Sequence, residues 1–103
     1  MVETIQLAQR FPFPFGRYRD PHGDASGEVF REELLLPAFR RSGDTVIVDL
    51  DGARGLSPSF LEEAFGGLVR RGIPKQQVLQ RLKIKSERDP SFVQTITDYV
   101  REA

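Results

Sequence analysis

Four acidic residues gather around one short stretch of the chain, Val48-Asp49-Leu50-Asp51-Gly52-Ala53-Arg54-Gly55-Leu56-Ser57-Pro58-Ser59-Phe60-Leu61-Glu62-Glu63. Carboxylates grouped in this way can ligate a divalent cation or divide general acid and base between them. The same residues also have a structural reading. Ser59 followed by Glu62 is a capping box, in which a hydroxyl and a carboxylate each accept an orphan N–H at a helix start. Glu63 then falls on the solvated side of that first turn. We favour the capping reading, because matches to such short motifs recur by chance. His22, in Asp20-Pro21-His22-Gly23-Asp24, is the only histidine, and the chain has no cysteine. Without a second imidazole or a thiolate it lacks the partners of a usual transition-metal site, so it reads as an exposed loop residue. No metal and no cofactor is expected.

Gly66-Gly67 follows Phe65 within a helical pattern, where each glycine costs about 1 kcal/mol relative to alanine. No strand precedes the pair and no Gly-Lys-Ser/Thr follows, so it is not a phosphate-binding loop. Close packing of the helix on a neighbour is the natural account. Gly-x-Ser-x-Gly, His-Glu-x-x-His and Gly-x-Gly-x-x-Gly are all missing from the sequence. With no complete catalytic set, the expected function is non-enzymatic.

The elements that position these residues follow from periodicity. Thr4 to Gln9 alternates, with Ile5 and Leu7 on one face, and predicts a strand. In Phe11-Pro12-Phe13-Pro14-Phe15-Gly16 the prolines exclude a central strand, while alternate phenylalanines can still face inward. Gly16 to Gly27 reads as a loop. Ser26 is a helix N-cap and Glu28 suits the first turn. That helix runs to about Arg41, with Val29, Phe30, Leu34 and Ala38 inward and a kink expected at Pro37. Gly43-Asp44 closes the unit. Thr45 to Leu50 is the strongest strand, and Val46, Ile47 and Val48 make both of its faces apolar, as in a parallel sheet covered on two sides. After the loop Asp51 to Pro58, a helix from about Ser59 to Arg71 carries Phe60, Leu61, Ala64, Phe65, Leu68 and Val69 as a stripe and stops at Gly72. Leu82 to Lys85 predicts a more polar strand, nearer an edge. The last helix starts at Asp89-Pro90 and turns Phe92, Val93, Ile96, Tyr99 and Val100 inward. Strand and helix alternate throughout, which implies an α/β domain with a mostly parallel or mixed sheet packed by about three helices.

Composition bounds the rest. The 103 residues make one domain spanning the whole chain, with no linker or internal repeat. Fifteen basic and fifteen acidic residues cancel, so the charge excess that drives phosphate binding is missing and no nucleic-acid partner is expected. Arg40-Arg41 and Arg70-Arg71 sit where cations suit helix C-termini. Met1 to Arg10 carries Glu3 and no apolar run, so it is not a signal peptide. No stretch approaches the roughly 20 apolar residues of a membrane span. The reading is a cytoplasmic protein without membrane attachment.

Ser26-Gly27-Glu28-Val29-Phe30-Arg31, Leu36-Pro37, Val46-Ile47-Val48-Asp49-Leu50-Asp51-Gly52 and Ser59-Phe60-Leu61-Glu62-Glu63-Ala64-Phe65-Gly66-Gly67-Leu68 together resemble the bacterial STAS-like family of unknown function. Wider STAS domains include anti-sigma-factor antagonists and cytoplasmic domains of sulfate transporters. In the antagonists a partner kinase phosphorylates a serine between a buried strand and the next helix. The resemblance implies a small STAS-like fold and a regulatory interaction module in signalling, with an ATPase-kinase-like protein as the class of partner. It places the partner-binding or switch surface at Asp51, Gly55, Ser57, Ser59, Glu62 and Glu63. Where the antagonists carry Asp-Ser-Ser-Gly, this chain has Ser57-Pro58-Ser59-Phe60. The phosphoacceptor position therefore falls on Pro58, with Ser57 and Ser59 one place to either side. The alternatives are a small-ligand or nucleotide-binding protein with an anion at the helix N-terminus near Ser59, flanked by Arg17, Arg19 and Arg54; a hydrolase acting through Asp49, Asp51 or Glu62 with a divalent metal; and a homodimer joined through Phe11, Phe13 and Phe15.

Overall fold

The computed structural model describes residues 2–41 and 43–103; Met1, the first residue of the segment 1–10 read above, and Ser42 lie outside the described residues. Three strands, β1 (Glu3–Gln6), β2 (Val46–Asp49) and β3 (Leu82–Lys85), form one sheet in the order β1-β2-β3. Both pairings are parallel, as expected, with Ile5 beside Val48 and Val48 beside Ile84. Helix α1 spans 27–41, α2 spans 58–70, and α3 (Lys75–Arg81) and α4 (Ser91–Glu102) follow. Leu7–Arg10 and Arg19–His22 are single helical turns. The first of these replaces the predicted extension of β1 to Gln9, and it buries Leu7 completely.

Register fixes which side chains share a face. Ile5, Val46 and Val48 are buried, and Leu82 and Ile84 continue that face across β3. On the opposite face Thr4, Gln6, Lys83 and Lys85 are exposed, around a half-buried Ile47 and Asp49. The helices therefore pack on one side of the sheet only. This corrects the two-sided cover inferred from Val46 to Val48: Ile47 is flanked by Thr4 and Lys83 and faces the open side. The edge position predicted for β3 is what the pairing shows.

Both long central helices contain a π-helical stretch, Arg31–Leu35 in α1 and Glu62–Gly66 in α2. In α1 it lies directly before Pro37. A proline ring at that place collides with the carbonyl four residues earlier in a regular α-helix. The wider turn gives the ring room, so α1 continues through Leu36–Arg41. Helix α3 was not foreseen, because Lys75-Gln76-Gln77 is polar and only Val78 in it is fully buried. Val93, expected inward, is 42 % exposed at the flank of α4.

An aromatic cluster fills the space between α1, α2 and the segment after β1. Phe30 stacks on Phe60 at 5.9 Å and meets Phe11 edge-on at 5.5 Å and Phe65 at 6.2 Å. These contacts need the two helices close together, and Gly27 allows it. A Cβ at Gly27 would lie 2.4 Å from the carbonyl oxygen of Phe60, a backbone atom that cannot swing away. Gly27→Ala is therefore expected to lower the stability measured by urea denaturation by about 1–3 kcal/mol. Gly43→Ala, whose Cβ meets nothing within 4 Å, serves as the control and should change it by no more than about 0.5 kcal/mol.

Candidate functional site

Because all the strands run parallel, their carboxyl ends emerge on one side of the molecule, where α/β folds collect ligands and partners. Three segments build that rim: Phe11 to Phe15 after β1, the loop 50–57 after β2, and 86–90 after β3. Hydrogen bonds lock them together. The N–H of Arg54 donates to the Pro12 carbonyl at 2.9 Å. The Asp51 carboxylate accepts the N–H groups of Arg88 and Glu87, both at 3.0 Å. These two backbone donors, Arg88 first, hold the Asp51 carboxyl below the usual carboxylate range. Asp49 accepts the Asp51 N–H at 2.9 Å and lies 3.6 Å from Lys85. Both aspartates thus brace the turn between β2 and the segment after β3.

Gly55 stands at the tip with φ of +73° and open space around it, a conformation that favours glycine. The N-cap of α2 is Ser57, whose Oγ accepts the Phe60 N–H at 3.2 Å, with Pro58 in the first turn. This corrects the predicted cap at Ser59, and with it the capping box. Pro58 has no N–H and a fixed φ suited to a helix start, so the helix begins two residues earlier than the apolar stripe suggests. Ser59 lies half-buried with its Oγ 3.3 Å from that of Ser57.

Glu62 and Glu63 point away from this tip, into an ionic seam between α1, α2 and the loop that carries Arg17. Glu63 is buried rather than solvated. Its Oε2 accepts from Arg31 Nη1 at 2.5 Å, and the same Nη1 reaches the Glu63 carbonyl at 2.8 Å. Arg31, also buried, holds Glu32 at 2.8 Å through Nε, and Arg71 grips Glu32 with two bonds at 3.0 and 3.1 Å. Glu62 lies between Arg17 at 2.5 Å and Arg70 at 2.8 and 3.1 Å. Four arginines and three glutamates share the seam. Gly67 makes it possible, since a Cβ there would sit 2.3 Å from Arg31 Nη1. Arg70 and Arg71 therefore serve as ion-pair partners here, beyond any effect on the helix dipole.

The four candidate carboxylates thus divide into two separate groups, one bracing the sheet end and one neutralising arginines. Among the described residues no three His, Asp or Glu side chains come together as metal ligands. His22 accepts the Tyr18 N–H at 3.4 Å and packs edge-on against Phe15 at 5.7 Å, so it shapes its loop. Arg17, offered above as a ligand contact, is occupied by Glu62 and Glu63, and Arg19 by Asp24 and Glu33. Arg54 stays on the rim, where it lines a shallow hollow of about 310 Å³ with Ala53, Gly55 and Arg88. The other prominent feature is apolar: Phe13 is 67 % and Phe15 63 % exposed, whereas Phe11 is buried. Arg88 escaped the sequence reading because it follows a strand predicted to be peripheral. Arg31 left a faint signal, since it shares a helical stripe with the buried Leu35 and Ala38.

A one-sided α/β domain with a parallel sheet and a charged helix seam is the class this fold and rim define. Within it, the chain belongs to the family described as a STAS-like domain of unknown function (DUF4325), whose model matches residues 26–92. No curated protein and no solved structure gives a significant match. Among the described residues no helix is long and apolar enough to cross a membrane.

Two measurements test the seam. Removing one partner of a buried ion pair strands the other charge, so Arg31→Met is expected to cost about 3–5 kcal/mol in urea denaturation, and adding Glu63→Leu to recover much of it. Glu32 and Glu62 have carboxyls held below the usual range, by the hydrogen bonds of Arg71 and Arg70 respectively. A carboxyl depressed in the folded state contributes stability above its unfolded pKa and loses it as the pH falls through the folded value. Stability should therefore be level above about pH 5 and decline below it, and Glu32→Gln with Glu62→Gln should flatten that acid limb.

Proposed function

We propose that this chain is a non-catalytic regulatory module that binds a protein partner through the carboxyl-end rim, at Phe13, Phe15, Arg54, Gly55 and the Ser57–Ser59 start of α2. The observation that carries the reading is the exposure of Phe13 and Phe15 on a segment bonded to the 53–57 loop through Arg54 and Pro12. Aromatic and arginine side chains are the residues most enriched at the energetic centres of protein interfaces. The resemblance to wider STAS domains is what suggests a regulatory role of this kind, with an ATPase-kinase-like protein as the partner class. Of the six residues first assigned to the surface, Gly55, Ser57 and Ser59 stay on it, and Asp51 braces it from behind. Glu62 and Glu63 set the position of α2 instead. A phosphate on Ser57 or Ser59 would add about two negative charges. It would lie at the start of α2, where the dipole favours an anion, so the switch would change the charge offered to the partner while leaving the helix formed.

A second reading rests on Arg54 and Arg88. Among the described residues neither guanidinium forms a salt bridge or a hydrogen bond, although Arg88 acts on Asp51 through its charge, and both line the rim hollow. An anionic small molecule would fit such a pair.

Affinity purification of the tagged chain from its own host separates the two. A stoichiometric partner is expected with the native sequence and is lost with Phe13→Ser/Phe15→Ser, while the urea midpoint shifts by less than about 0.5 kcal/mol equivalent. Retention of the partner by that variant, or no partner at all, overturns the interaction reading. Saturable binding of inorganic phosphate, lost in Arg54→Gln/Arg88→Gln, would then establish the ligand reading.

A further inference from the structure

The outer edge of β3 lies away from the rim and has no part in the reading above. Leu50 donates its N–H to the Lys85 carbonyl at 2.9 Å, which turns Lys85 toward β2. Backbone groups in a parallel ladder alternate in direction, so Lys83 faces β2 as well. Ile84 therefore presents its N–H and C=O, and Leu82 its C=O, to the free edge. Among the described residues no group pairs with them. A parallel strand with one unpaired side is a template for another strand.

Beside this edge runs a groove of about 310 Å³ between β3, α3 and α4. Its apolar lining includes Leu79, Leu82, Ile84 and the exposed Val93; Arg101 and Lys83 also border it, the Lys83 side chain standing on the open face of the strand, and no acidic residue is among the lining groups. Neither cation has a carboxylate partner among the described residues. Nearby Asp98, on α4, accepts from Gln94 at 2.8 Å. The edge thus combines unpaired backbone, an apolar slot on the helix side and positive charge.

We propose that the β3 edge accepts an extended segment of a partner protein as a fourth strand, and that the segment alternates apolar with acidic residues. The alternation follows from the pleat. Partner side chains level with Leu82 and Ile84 enter the groove, and those level with Lys83 and Lys85 fall on the open face beside the lysines. Charge selects this occupant over a second copy of the chain. Pairing β3 with β3 would set lysines beside lysines, and like charges in neighbouring strands are destabilising.

The test uses the full chain, isotope-labelled for NMR, with two blocked octapeptides, one alternating Val with Glu and one alternating Val with Lys. The Val/Glu peptide is expected to give saturable shifts at Ile84 and at Val93 and Thr97, to slow amide exchange at Ile84, and to bind roughly three- to tenfold more tightly than the Val/Lys peptide. N-methylation of its strand-pairing amides should abolish binding. Lys83→Glu, at an exposed position, should reverse the preference between the peptides. Equal affinity for both peptides, or shifts that spare Ile84, overturns the proposal. So does a concentration-dependent dimer in sedimentation that protects the Ile84 amide without any peptide, since that assigns the edge to a second copy.

Discussion

The guanidinium of Arg31 is held between two helices, and much of the molecule is arranged around that fact. A buried cation is tolerated only when its charge is matched and its donors are used. Glu63 and Glu32 match the charge, and the Glu63 carbonyl takes a further bond. The guanidinium fits only because residue 67 has no side chain. The same need for proximity places Gly27 under the backbone of Phe60 and lets Phe11, Phe30, Phe60 and Phe65 close over one another. Ionic seam and aromatic core are two sides of one helix crossing.

From that crossing follows the division of labour among the charged residues. Glutamates that neutralise Arg17, Arg31, Arg70 and Arg71 are committed to those ion pairs, and the depressed carboxyls of Glu32 and Glu62 stay ionised near neutrality. Asp49 and Asp51 are committed to the turn that joins β2 to the segment after β3. What remains at the carboxyl end is a set of exposed aromatics, the arginines Arg54 and Arg88, a glycine tip and a serine cap. The sheet adds its own asymmetry, because helices cover only one face and β3 keeps a free edge.

Much of this was legible in local pattern. The strong β-branched run at Val46 to Val48, the stripe from Phe60 to Val69 and the Ser26 cap all appear where periodicity and capping chemistry put them. The residues of the expected surface stand in two places. Gly55 and Ser57 stand at the tip, since a left-handed turn and a helix cap are written in residue type. The capping role read for Glu62 and the solvated position read for Glu63 did not hold, because a carboxylate in a first helical turn has the same local signature whether it caps, faces water or meets a distant arginine. Helix α3 was missed for a related reason: its polar sequence has little amphipathic pattern, and its place is set by the chain having to return to start β3 beside β2.

By itself the sequence determined the alternation of strand and helix, the parallel sheet and the family, because each depends on residue type and short-range spacing. Tertiary structure alone decided which face of the sheet is open, which arginines are neutralised and which remain unpaired, and that Phe13 and Phe15 stay outside while Phe11 goes in. Those outcomes depend on contacts such as Arg31 with Glu63 and Arg17 with Glu62, between residues 32 and 45 positions apart. Local propensity carries no information about which distant charge will arrive, so only the packed chain could settle them.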